Sequence, residues 1–178
     1  MKRIISLLLA VLAISLLLVS CTKETMGGHP VGKMELTNDA VDYKFYYPDT
    51  WQTQMNEGMV CLYVSSDDPS NVSVTKFGLG EYIGLEDYID NEQNGFKAQW
   101  SAIFGQTDFG EPTDIKLGDT DAKQYVYEVT IGDIPYKYMQ VFALRLNNVY
   151  TLTYAARTEV FNKHLENVND IISSFQFK

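Results

Sequence analysis

The sequence predicts an α+β domain built on an antiparallel β-sheet. Three observations predict it. Apolar residues recur at every second position over most of the chain, as in half-buried strands. Short turn sequences join these runs, as antiparallel neighbours allow and parallel ones do not. Only two segments switch to helical spacing. One strand-like run carries Met139, Val141 and Ala143 on one face and Tyr138, Phe142 and Leu144 on the other. Both faces of the sheet are therefore expected to be covered, with helices on both faces.

The elements follow in order. Met1-Lys2-Arg3 is a short basic opening, and Ile4 to Val19 is an apolar run broken only by Ser6 and Ser15. At about 16 residues the run suits a secretory signal better than a membrane span, which needs about 20. It ends in Leu18-Val19-Ser20-Cys21. That pattern resembles the lipobox of bacterial lipoproteins, so residues 1–20 are read as a removable signal peptide. The thiol of Cys21 is a strong enough nucleophile to take a diacylglyceryl group as a thioether. Its freed amine can take a further acyl chain, and two signals are needed for stable anchoring. Residues 21–33, with Gly27-Gly28, Pro30 and Gly32, read as a flexible tether.

Within residues 34–178 the strand runs are Ala40 to Tyr47, Met59 to Ser65, Asn71 to Phe77, Lys123 to Ile131, Tyr136 to Leu146 and Val149 to Ala155. Lys33 to Thr37 leads into the first through the turn residues Asn38-Asp39, and Ser174 to Phe177 closes the series. Asn147-Asn148 reads as a hairpin turn. Leu85 to Phe104 carries one helical stripe, with Gly95 marking a break or a close approach. Thr158 is placed to cap a second helix carrying Phe161, Leu165 and Val168.

Phe45-x-Tyr47-Pro48-x-x-Trp51 resembles the opening motif of the PsbP-like superfamily, which includes the DcrB-like bacterial lipoproteins. The stretch Tyr150 to Tyr154, the helix from Glu159 and Ile171 to Phe175 are similar as well. Thr50 departs from the pattern, because relatives often carry Gly before the Trp. The resemblance implies an α/β/α sandwich around an antiparallel sheet and a non-catalytic binding module. It transfers no functional residue to this chain.

Composition narrows the function. Some 46% of the 178 residues are hydrophobic and 21% charged, which excludes a disordered chain. A net charge of −9, or −11 without Lys2 and Arg3, argues against a nucleic-acid partner. It also argues against adhesion to anionic lipid except through acyl chains. Two cysteines make neither a disulfide framework nor a four-cysteine zinc site. Cys61 lies in an apolar run and reads as a buried, inert thiol. His29 lies in the tether and is not expected to bind metal. His164 reads as a surface helical histidine with no nucleophile beside it. The acids at Asp67-Asp68, at Glu86, Asp87 and Asp90, and at Asp119 and Asp121 read as turn and helix-start chemistry. They do not form the alternating loop that calcium requires.

The twelve tyrosines and nine phenylalanines read mainly as core. Tyr46 and Tyr82 are the candidates for an exposed ligand platform. No catalytic residue, metal site or cofactor is assigned. The expectation is a lipoprotein of the cell membrane, held at the extracytoplasmic face by Cys21. Its role would be to bind a protein or small ligand without catalysis. The alternatives are a hydrolase of envelope polymer or a structural envelope component.

Overall fold

The computed structural model describes residues 25–26, 29–56, 59–80 and 83–178. The chain divides at Gly32 into two units, and of the first the structure describes residues 25–26 and 29–31. In the first, β1 (Thr25–Met26) pairs antiparallel with β2 (His29–Pro30). The sequence-predicted signal and Cys21 lie outside the described residues.

The second unit opens with β3 (Lys33–Leu36), β4 (Tyr43–Pro48), β5 (Gln52–Asn56), β6 (Met59–Tyr63) and β7 (Asn71–Gly78). Two short helices follow, α1 (Leu85–Asp90) and α2 (Phe96–Phe104). Next come β8 (Thr113–Leu117), β9 (Thr120–Ile131), β10 (Ile134–Arg145) and β11 (Asn148–Arg157). A 3₁₀ turn (Phe161–Lys163), α3 (Leu165–Ser174) and β12 (Gln176–Phe177) complete the unit. Seven strands form one sheet in the order β5-β6-β7-β11-β10-β9-β8, every pairing antiparallel. Three more, in the order β12-β4-β3, form a second sheet.

The alternation along β10 separates two cores. Val141, with Val60, Leu62, Val74 and Leu152, joins Tyr43 and Phe45 of β4 and Val168 and Ile171 of α3. Phe142, with Tyr125 and Tyr127, joins Ile89 of α1 and the partly buried Phe96 and Trp100 of α2. A small sheet together with α3 therefore packs in the first core, where the expectation was of helix without a second sheet. Each fully buried large side chain contributes roughly 1.5–3 kcal/mol. Tyr43, Tyr154, Phe45, Phe142 and Phe175 are the largest of these, so the aromatic richness is mostly core. Tyr43 stacks on Phe175 at 5.1 Å and Phe45 on Phe175 at 5.9 Å.

Several expected boundaries move. The helical stripe is broken at Gly95 into α1 and α2. A Cβ there would lie 2.6 Å from the backbone of Asn91, so close approach requires the glycine. The β10–β11 turn centres on Leu146 and Asn147, at φ 48° and 59°, one residue earlier than expected. Thr158 does not cap α3, because the 3₁₀ turn intervenes and α3 starts at Leu165. Strands β5 and β8, the two edges of the large sheet, went unrecognised in the sequence.

Candidate functional site

Pro48 ends β4, and the Trp51 amide turns back to donate to the Pro48 carbonyl at 3.0 Å. This turn lays Trp51, 7% exposed, edge-on to His164 with ring centroids 5.9 Å apart. His164 is not a surface residue. It sits between the 3₁₀ turn and α3, is buried, and its Nε2 lies 2.8 Å from Oδ2 of Asp68. The other Asp68 oxygen accepts the Ser70 hydroxyl at 2.6 Å and the Ser70 amide at 3.2 Å. Lys163 adds an ion pair at 3.3 Å. Burial works to raise the pKa of Asp68. The hydrogen bonds from Ser70, His164 and Lys163 outweigh it and hold the carboxyl well below the usual carboxylate range.

Ser, Asp and His are thus assembled, but not in the order that activates a nucleophile. A catalytic serine donates to the histidine, and the acid orients that histidine from its far side. Here the Ser70 hydroxyl donates to Asp68. The arrangement fastens the 65–70 loop to the start of α3.

A second carboxylate, Asp42, lines a cavity of about 260 Å³ with Asp39, Ala40, Val41, Tyr43 and Lys76. Its Oδ2 accepts from Lys76 Nζ and from the Tyr150 hydroxyl, both at 2.7 Å. Burial opposes ionisation, yet these bonds leave its pKa lowered. Such a carboxylate is a poor base, because both donors must first be displaced.

The acids expected in turns are mostly paired. Asp90 meets Lys97 at 2.6 Å, Asp121 meets Lys116 at 2.7 Å, and Asp119 meets Arg145 at 3.1 Å. Among the described residues no three His, Cys, Asp or Glu come together to hold a metal ion.

Tyr46 is half-buried in β4, with its amide donating to Ser174 Oγ at 3.0 Å, which ties it to the end of α3. Tyr82 lies outside the described residues. Cys61 is buried, as expected, and stands beside Ser73 and Gln54 in the register. Proximity of Cys61 pushes the Tyr63 hydroxyl up.

Sequence reasoning missed a polar relay across the sheet. The Tyr127 hydroxyl donates to Gln140 Oε1, and Gln140 Nε2 donates to Thr153 Oγ1 at 3.0 Å. The signal available in the sequence was Gln140, a polar residue inside an otherwise apolar run.

What the fold and its polar groups define is an antiparallel α+β domain whose charged clusters close on themselves. The chain belongs to the PsbP family, whose model matches residues 34–177. No curated protein matches in sequence. Solved structures do match. A cyanobacterial PsbP (CyanoP) from Synechocystis sp. PCC 6803 superposes with TM-score 0.64 at 14% identity, covering 87% of this chain and 98% of that one. LpqN, described as involved in cell envelope biogenesis of Mycobacterium tuberculosis, gives 0.58 at 13% identity, covering 82% and 91%. A protein of Bacteroides thetaiotaomicron VPI-5482 gives 0.53 at 12% identity, covering 83% of this chain. The chain spans about half of that protein's length, 48%. At these identities the likeness is one of fold.

Proposed function

We propose that the chain is a lipid-anchored extracytoplasmic lipoprotein whose PsbP domain acts as a non-catalytic binding or accessory module. The observation that carries the non-catalytic reading is the direction of the hydrogen bond at Asp68. Ser70 gives its proton to the acid, and His164 packs edge-on to Trp51 with its Nε2 on that same acid. The sequence Leu18-Val19-Ser20-Cys21 supports the anchor, with acyl chains on Cys21 as the membrane contact. The likeness to LpqN, a protein described as involved in cell envelope biogenesis, supports a setting in the envelope. The alternation along β10 supports reading the layers as helices on both faces of the large sheet. The partner is a protein or a small ligand, and no cofactor is assigned.

The anchor is tested by labelling cells with an alkyne fatty acid. Wild type should carry the label and Cys21→Ser should carry none, since a hydroxyl is too weak a nucleophile to replace the thiol. Equal label on both would sink the assignment. The non-catalytic reading is tested by screening the protein against glycan, ester, phosphoester and peptide substrates. No turnover is expected. A turnover of any of these that is lost on changing one acid, where that change leaves the melting midpoint intact, would overturn it.

A further inference from the structure

The face of the large sheet that carries Tyr127 and Phe142 is divided in two. Its β9–β10 half packs against α1 and α2. Among the described residues, its β11-β7-β6-β5 half contributes Val149 to that core, and Phe77, paired with Val149, meets Tyr88 of α1 at 6.5 Å. Register fixes what this second half presents, because paired residues point the same way. One row runs Gln54, Cys61, Ser73, Thr153, in which Gln54 is exposed, Ser73 and Thr153 are half-buried and Cys61 is buried at the floor. The row on one side runs Tyr63, Asn71, Ala155, Tyr138. On the other side exposed Thr75 pairs with buried Thr151.

Within these rows no side chain carries a formal charge, in a chain that is 21% charged and bears 23 acids. Arg157, further along β11, is the first charge on this half of the face. Elsewhere the sheet is charged: on β8 and β9, Asp114 pairs with Lys123 at 2.7 Å. The neutral area is also pre-organised. Thr153 accepts from Gln140, so its own hydroxyl proton is left to donate outward. Tyr138 is held by stacking on Tyr127 at 5.7 Å and by the edge of Trp100 at 5.3 Å.

Resting on the non-catalytic reading above, we propose that this half-face binds an uncharged glycan. The chemistry selects the occupant. Amide and hydroxyl groups without charge match a ligand made of hydroxyls. They give no advantage to a phosphate, a carboxylate or a basic peptide, each of which would be desolvated without a counter-charge. Tyr63 and Tyr138 stand at opposite ends of one row, three strand spacings apart, or roughly 14 Å. That span lets two sugar rings of one short chain stack on the two phenols while the ring between meets Asn71. The platform expected at Tyr46 and Tyr82 is thus proposed for other tyrosines.

The test uses the full chain in detergent, titrated with neutral hexasaccharides (malto-, cello-, xylo- and manno-) and with hyaluronan fragments as the anionic control. At least one neutral hexasaccharide should bind in the millimolar range or tighter. Its affinity should change less than twofold between low and high salt. Tyr63→Ala and Gln54→Glu should each weaken it tenfold or more. Gln54 is exposed, so that variant should keep the wild-type melting curve, which separates loss of the site from loss of the fold. No neutral binding, binding to hyaluronan alone, or equal affinity in both variants would overturn the proposal. Cleavage of a bound hexasaccharide would instead overturn the non-catalytic reading and leave the binding face standing.

Discussion

Among the described residues, Asp68 gathers more hydrogen-bond and ion-pair partners than the other carboxylates. Four donors converge on it from two parts of the chain: the Ser70 amide and hydroxyl from its own loop, and Lys163 and His164 from the start of α3. Asp68→Asn removes the charge they share and should cost about 1–3 kcal/mol. The melting midpoint near neutral pH should fall by several degrees. The pH dependence has a definite sign. The folded-state pKa is lowered, so the stabilisation is present above the unfolded value, about 3.9, and is lost as pH falls through the folded value. The gap between wild type and Asp68→Asn should therefore close as pH drops below about 4. Midpoints measured from pH 7 to pH 2 check this, and a constant gap would refute it. The sequence showed Asp67-Asp68-Pro69-Ser70 as a turn, which it is. It could not show His164 arriving beside it, because the two are 96 residues apart.

At the scale of elements, the long strands and α3 were legible because each repeats its apolar residues at a fixed period. Strands β5 and β8 were not. Gln52 to Asn56 and Thr113 to Leu117 are mostly polar edge strands that pair on one side only, so hydrophobic period leaves little trace in them. The β10–β11 hairpin shows a second limit. Its tip places Leu146, 85% exposed, in the left-handed region at φ 48°, a position that favours Asn or Gly. A leucine there bears about 1–2 kcal/mol of backbone strain. It buries almost nothing in return. Leu146→Asn should therefore raise the melting midpoint by a few degrees, about 1 kcal/mol of stability. Calorimetry checks this, and an unchanged or lower midpoint would show that Leu146 makes a compensating contact in solution.

For the whole molecule, size and charge set the expectations. Residues 32–178 bury two aromatic-rich cores, large enough that the domain is expected to fold without an ion. Melting in excess chelator and in millimolar calcium should give the same midpoint. A site held at 100 times its dissociation constant would add about 2.7 kcal/mol, several degrees that a scan would resolve. The overall class was legible because sheet-rich periodicity and hairpin turns survive in a single sequence. The neutral half-face was not. No row of it is continuous in the chain, and it exists only once β5, β6, β7 and β11 are set in register.

The placement of β4 bears on the order in which the chain can mature. It is sandwiched between β3, made just before it, and β12, made more than a hundred residues later. Ser174 reaches its amide across 128 residues, and Phe175 supplies the ring on which Tyr43 and Phe45 stack. During synthesis these early aromatics must therefore wait for the segment 165–177 to emerge. The same dependence makes products that stop short of α3 open substrates for proteases rather than stable fragments.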